Sequence, residues 1–198
     1  KLVHVTPSNH YPLGVKMSLN RRKELIKWAS KNKALIIEND YENEVANHLN
    51  TTPSIFSLDS QDRTIYMGTF NRLLHPSIRL AYMIVPKYLI NAVEALQEHS
   101  HRFVAPSVQV VMNQFIERNY LYMHIKNIIE VAKERQELFI AEFEECKNMS
   151  IQNKNFESLH LVAKFNKHIS SKEESLIINK LTEANITSHS LSKCFIGN

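Results

Sequence analysis

The stretch Ala34-Leu35-Ile36-Ile37-Glu38-Asn39-Asp40-Tyr41 decides the fold. Four consecutive apolar residues give way at once to a polar set. That pattern suits a strand buried on both faces, as in a parallel sheet, with its polar end at the sheet edge. On the N-terminal side, residues 2–5 (Leu-Val-His-Val) read as a second short strand, ended by Thr6-Pro7. Tyr11-Pro12-Leu13-Gly14 reads as a turn. Between the two strands, Ser18 can cap a helix over 19–31, with Leu25, Ile26 and Trp28-Ala29 as its apolar stripe. On the C-terminal side, residues 64–69 (Thr-Ile-Tyr-Met-Gly-Thr) are another buried strand, and 78–85 a further one that stops at Pro86. Buried strands joined through a crossover helix predict an α/β fold with a mainly parallel sheet.

The second half has a different period. Residues 88–101, 107–118 and 121–145 all show helical spacing, with Ile125, Ile128, Ile129, Ala132, Leu138 and Phe139 striping the longest segment. Residues 159–165 alternate apolar and polar, as a half-exposed strand does. Ser170 followed by Glu173 and Glu174 signals a helix start, and 186–189 reads as a last short strand. Strand, helix and strand after a long helix predict a small α+β domain. The expected division is 1–140 for a large α/β domain and 141–198 for part of a small one.

The chain has 198 residues, 43% hydrophobic and 22% charged, which suits a globular protein and excludes intrinsic disorder. Its formal net charge of +4 is too small and too scattered for a nucleic-acid surface. With 3 glycines, no GxGxxG or GxxxxGK[ST] phosphate loop is present. Cys146 and Cys194 fit no metal or redox spacing and are expected to be reduced thiols of a cytoplasmic protein. His99 and His101 face apart on a helix, so no metal site is expected. The Asn-x-Ser/Thr triplets at Asn50, Asn148 and Asn185 would matter only in a secreted chain. No uncharged apolar run reaches the roughly 18 residues of a membrane helix. The chain starts inside a strand, so it is expected to be a piece of a longer protein.

Ligands of open α/β sheets bind beyond the carboxyl ends of the strands. Three polar sets lie there: Thr6-Pro7-Ser8-Asn9-His10, Glu38-Asn39-Asp40-Tyr41, and Thr69-Phe70-Asn71-Arg72 with Arg79 nearby. Hydroxyls, amides and two guanidiniums at one edge suit an anionic ligand such as a phosphate.

These same segments carry a resemblance. Val5-Thr6-Pro7-Ser8-Asn9-His10-Tyr11-Pro12-Leu13-Gly14 resembles the TPSHQxPxG segment of fold-type I pyridoxal-phosphate proteins. The stretch from Ile36 to Glu44 resembles IIEDDYDSE, and that from Tyr66 to Tyr82 resembles Y-G-T-F-S-K-x-L-x-P-x-L-R-L-G-Y. Residues 115–126 resemble a helix FxxxGxhxxHhR, and Ser158-Leu159-His160 a GLH strand start. These five ordered motifs are similar to the aminotransferase-like domain of MocR-type regulators in the GntR transcription-factor family.

The resemblance implies a fold-type I aminotransferase large domain followed by part of the small one. It also implies a homodimer, and DNA binding through a winged-helix module that this chain does not contain. In the family the lysine of GTFSK forms the Schiff base; Arg72 stands there. A guanidinium is not a usable amine nucleophile, so no internal aldimine forms at this position. The aspartate that pairs with the pyridine nitrogen corresponds to Asn39, and the serine of GTFSK to Asn71. Asp40 should point to the opposite side of the strand from Asn39. Tyr41, Thr69 and Arg79 keep the family identities for the ring hydroxyl and the phosphate. The resemblance therefore implies a chain without catalytic residues that binds pyridoxal phosphate at most non-covalently, or another small anionic effector. The alternative is an active aminotransferase that uses another lysine, with Lys87 as the candidate.

Overall fold

A computed structural model of the chain describes residues 1–42, 52–100, 103–152, 154, 156 and 158–194. Asn43, Glu44, Asn50, His101 and the C-terminal residues 195–198, on which parts of the sequence reading fall, lie outside the described residues.

Strands β1 (Leu2–Val5), β2 (Leu35–Asn39), β3 (Thr64–Thr69) and β4 (Ala81–Ile84) form one sheet in the order β1-β2-β3-β4. The first three run parallel; β4 is antiparallel to β3. The crossover from β1 to β2 is helix α1 (Leu19–Lys31), capped by the Ser18 hydroxyl accepting from the Arg21 amide. The apolar period decides what α1 buries. Ala29 packs with Ala34, Ile36 and Ile55, and Val3, Val5, Met17, Leu25 and Ile26 close the cluster. Trp28 was expected in that stripe but is 42% exposed, because it lies off the Leu25–Ala29 line. A short helix α2 (Ile55–Leu58) covers the same face.

The sequence expectation for 78–85 is shortened. Residues Pro76–Ile78 form a 3₁₀ turn, Arg79 takes a left-handed conformation (φ 48°), and the strand begins only at Ala81. Pairing with β3 sets that start, since Thr69 lies opposite Ala81 and Gly68 opposite Tyr82. Gly68 is buried, and a Cβ there would overlap the Tyr82 ring, which lies directly over it. Gly68→Ala is therefore expected to cost about 1–3 kcal/mol, as overpacking does. Urea unfolding checks this, and in a Tyr82→Ala background the cost should largely disappear.

Three further helices follow: α3 (Ile90–His99), α4 (Pro106–Glu117) and α5 (Tyr120–Phe143). In α5 the stripe works only in its first half. Ile125 and Ile129 bury against Leu73, with Leu121, Ile128 and Leu159 around them. Leu138 and Phe139 stay exposed, Phe139 stacking on Phe143 at 5.5 Å between centroids. Strand β5 (Met149–Ile151) was not foreseen; it pairs antiparallel with β6 (Ala163–Phe165) in a separate two-stranded sheet. The strand expected over 159–165 is thus confined to its last three residues, those that lie opposite Met149–Ile151. Helix α6 (Ser171–Glu183) starts on a reciprocal capping box between Ser170 and Glu173. Residues 186–189 form no strand; among the described residues no partner strand pairs with them, and a 3₁₀ turn follows at Leu191–Cys194.

Candidate functional site

Strand alternation splits the polar set after β2 into two faces. Glu38 and Asp40 turn inward under α1 and α2. Glu38, 0% exposed, accepts from the first two α2 amides, Ile55 N at 2.8 Å and Phe56 N at 2.7 Å. Asp40 accepts from the Tyr66 hydroxyl at 3.3 Å and from Ser8, while its Oδ1 has no partner. Arg22 is the cation of this cluster. It is 1% exposed, lies 3.8 Å from Glu38, and donates to the carbonyls of Met17, Pro53 and Pro7. Burial raises the carboxyl pKa of both Glu38 and Asp40, and Arg22 only partly offsets this.

Asn39 and Tyr41 belong to the other face. Tyr41 donates its hydroxyl hydrogen to the Asn9 carbonyl at 2.8 Å. Burial, and then the Glu42 charge, push its phenol up to about 12, so it stays protonated at any physiological pH. Its ring carries the Arg72 guanidinium 5.5 Å from the centroid. Asn39, at the end of β2, is half-buried.

The loop after β3 is tied by its own polar residues. Thr69 Oγ1 donates to the Leu80 carbonyl at 3.3 Å and accepts from the Asn71 amide at 3.2 Å. Asn71 Oδ1 accepts from the Leu80 amide at 2.8 Å, and its side-chain NH₂ has no partner among the described residues. The turn so closed sets Arg79 left-handed and exposed, with no ion pair among the described residues.

Arg72 does not share that freedom. Its Nε donates to Glu42 Oε1 at 2.8 Å, and its Nη2 lies 2.6 Å from the same oxygen. Of the two guanidiniums expected at this edge, Arg72 is therefore already paired within the chain. Glu42, 2% exposed, also accepts from Asn9 Nδ2 and from Ser158 Oγ at 3.1 Å. Ser158 is fixed in turn by Gln136, which donates to its carbonyl at 2.7 Å. The sequence places Asn9 in a strand-end polar set, Glu42 in the IIEDDYDSE-like stretch and Ser158 in the GLH-like start, without joining the three in one cluster. The available signal was in the motifs: Asn9 stands at the histidine of TPSHQ, and Glu42 at the aspartate after the tyrosine of IIEDDYDSE.

Lys87 is carried away from all this. The antiparallel β4 leaves the site edge at Ala81 and runs to the opposite edge, where Tyr88 bonds the Asp62 carbonyl at 3.1 Å. That geometry removes Lys87 as a substitute Schiff-base lysine. Among the described residues no group of His, Cys, Asp and Glu could hold a metal ion. None of the helices there is long and apolar enough to cross a membrane. His101, half of the HxH pair, is outside the described residues.

Pyridoxal phosphate is the group that the fold implies, and these residues fit it only in part. Residue 72 offers no amine, residue 39 no charge for a pyridinium, and Tyr41 has spent its hydrogen. The Arg79 guanidinium and the Asn71 amide remain as donors for an anion.

A parallel sheet with one antiparallel strand and a strand-edge site of this composition define an aminotransferase-like domain of fold type I. The structure superimposes on Pyrococcus horikoshii kynurenine aminotransferase with a TM-score of 0.77 at 25% identity, covering 94% of this chain and 46% of that one. No family model matches the chain. Among curated relatives, the uncharacterized HTH-type transcriptional regulator YdeL of Bacillus subtilis is 35% identical over 139 residues, 70% of this chain and 30% of that protein. The probable rhizopine catabolism regulatory protein MocR of Rhizobium meliloti is 31% identical over 141 residues, 71% of this chain and 29% of that protein. The chain belongs with the MocR-type regulators of the GntR family as their aminotransferase-like domain. It spans about 30% of the length of those relatives.

Proposed function

We propose that the chain is the effector-sensing and dimerising part of a MocR-type transcription regulator, and that it binds a small anion without running transamination. The observation that carries this reading is the engagement of Arg72. The residue at the Schiff-base position is a guanidinium held by a buried carboxylate, and a guanidinium supplies no nucleophilic amine. Two neighbouring positions support it. Asn39 gives the pyridine nitrogen no charged partner, and Asn71 spends its oxygen on the Leu80 amide.

In this reading residues 1–140 belong to a large domain and 141–198 to part of a small one. DNA contact belongs to a winged-helix module outside this chain, in a cytoplasmic homodimer. The ligand is a small anion, pyridoxal phosphate or a metabolite of like charge, received by Arg79 and the Asn71 amide. The chain's own residues bind and orient it; no proton transfer is assigned to them.

The test is reduction with borohydride. Purified protein is incubated with pyridoxal phosphate, reduced and digested, and the peptides are mapped. No phosphopyridoxyl group is expected on the peptide that contains residues 69–74, and amino acid should leave the visible spectrum unchanged. A phosphopyridoxyl group on any lysine peptide, together with a visible spectrum that shifts on adding amino acid, overturns the reading.

A further inference from the structure

Three positions where this chain departs from the group's motifs touch one another. Asn9, Glu42 and Arg72 stand where the motifs have histidine, aspartate and lysine. Asn9 Nδ2 donates to Glu42 Oε2, and Arg72 donates to Glu42 Oε1. Unrelated losses would be scattered and chemically independent. Here an acceptor, its cation and its amide donor meet as one set. Glutamate is one methylene longer than aspartate, which extends its reach toward residue 72. Arginine places Nε and Nη2 together on one oxygen, where lysine would offer a single charged point.

The carboxylate at the centre is 2% exposed, and Arg72 is the cation that it contacts. A buried carboxylate without a cation is strongly unfavourable. The same carboxylate holds a distant part of the chain. Ser158 Oγ bonds Glu42 Oε2 at 3.1 Å and accepts from Asn9 Nδ2 at 2.9 Å. Two residues on, His160 Nε2 donates to the Pro12 carbonyl at 3.1 Å. Four separate segments, 9–12, 42, 72 and 158–160, thus close on one charge.

We propose that Arg72 is a positioning residue: with Glu42 and Asn9 it forms a non-covalent tether that fixes the Ser158-Leu159-His160 segment to the sheet edge without a ligand. The Schiff-base position has exchanged a bond to cofactor for an ion pair within the chain. The inference adds to the reading above and rests on it only in that no cofactor engages residue 72. Borohydride reduction decides that reading; the following measurements decide this one.

Arg72→Met, Glu42→Gln and the double variant are made in the full chain and unfolded with urea. Arg72→Met strands the buried carboxylate and should cost the most. In the Glu42→Gln background the same substitution should cost far less, with a coupling on the order of tenfold in the unfolding equilibrium constant. Hydrogen exchange supplies the readout that bulk stability does not. Amide protection at 158–162 should fall in both single variants while β1–β3 stay protected. Arg72→Lys keeps the charge and should retain most of that protection, which also covers an Arg72→Met protein that fails to fold. Additive effects of the two substitutions, or protection at 158–162 unchanged in Glu42→Gln, overturn the tether.

Discussion

Replacing Arg22 by methionine is expected to cost about 3–5 kcal/mol, the penalty for removing one partner of a buried charge pair. Methionine keeps much of the stem volume, so the loss measures the guanidinium. That group is 1% exposed and serves two roles at once. It donates to three carbonyls, those of Met17, Pro53 and Pro7, which join the loop before α1 to the segment before α2. It is also the cation facing two buried carboxylates, Glu38 and Asp40. The substitution leaves both without it.

The pH dependence gives the sign. Both carboxyls have pKa values raised by burial, and Arg22 opposes that rise. A raised folded-state pKa means that the folded protein holds the proton more tightly than the unfolded chain does. The associated stability is full below the ordinary carboxyl range and is lost as pH rises through the folded value. Without Arg22 the folded values rise further. The deficit of Arg22→Met relative to wild type should therefore be largest at neutral pH and shrink as pH falls through the carboxyl range. Urea midpoints for both proteins at several pH values check this. A deficit independent of pH would assign the cost to the three carbonyl bonds alone.

Glu38 and Asp40 also show how far the sequence could be read. The run Leu35-Ile36-Ile37 announced a buried strand, and it forms. Alternation alone put Asn39 and Asp40 on opposite faces, and Asp40 does turn inward. What alternation could not show is that Glu38 caps α2 with both oxygens, since Ile55 and Phe56 arrive from 17 and 18 residues away. The long-range partners of the site were hidden for the same reason. Glu42 and Arg72 are 30 residues apart, and Asn9 and Ser158 are 149 apart. Local period carries no information about which strand-end loops meet. At 186–189 the failure ran the other way. The residues Ile186-Thr187-Ser188-His189 read as a short strand, but a strand also needs a neighbouring ladder, and among the described residues none pairs with them.

The second large effect is expected at Arg79. Inorganic phosphate or pyridoxal phosphate should raise the melting temperature of the full chain, and Arg79→Ala should abolish the rise. Of the two guanidiniums at the sheet edge, Arg72 is already bonded to Glu42, so Arg79 carries the charge that a ligand can use. A charge-assisted hydrogen bond contributes about 1.5–3 kcal/mol, so its loss weakens binding on the order of 10- to 100-fold. Because stabilisation follows the ratio of ligand concentration to Kd, a loss of that size erases the shift at moderate concentrations. Arg79→Gly makes the test independent of folding. Arg79 has φ 48° and ψ 40°, a left-handed conformation that costs a residue with a Cβ about 1–2 kcal/mol and glycine nearly nothing. Arg79→Gly should therefore be at least as stable as wild type without ligand and still show no response to phosphate. A variant that is stable yet responds normally would place the anion elsewhere, and the strand-edge site would then be a structural remnant.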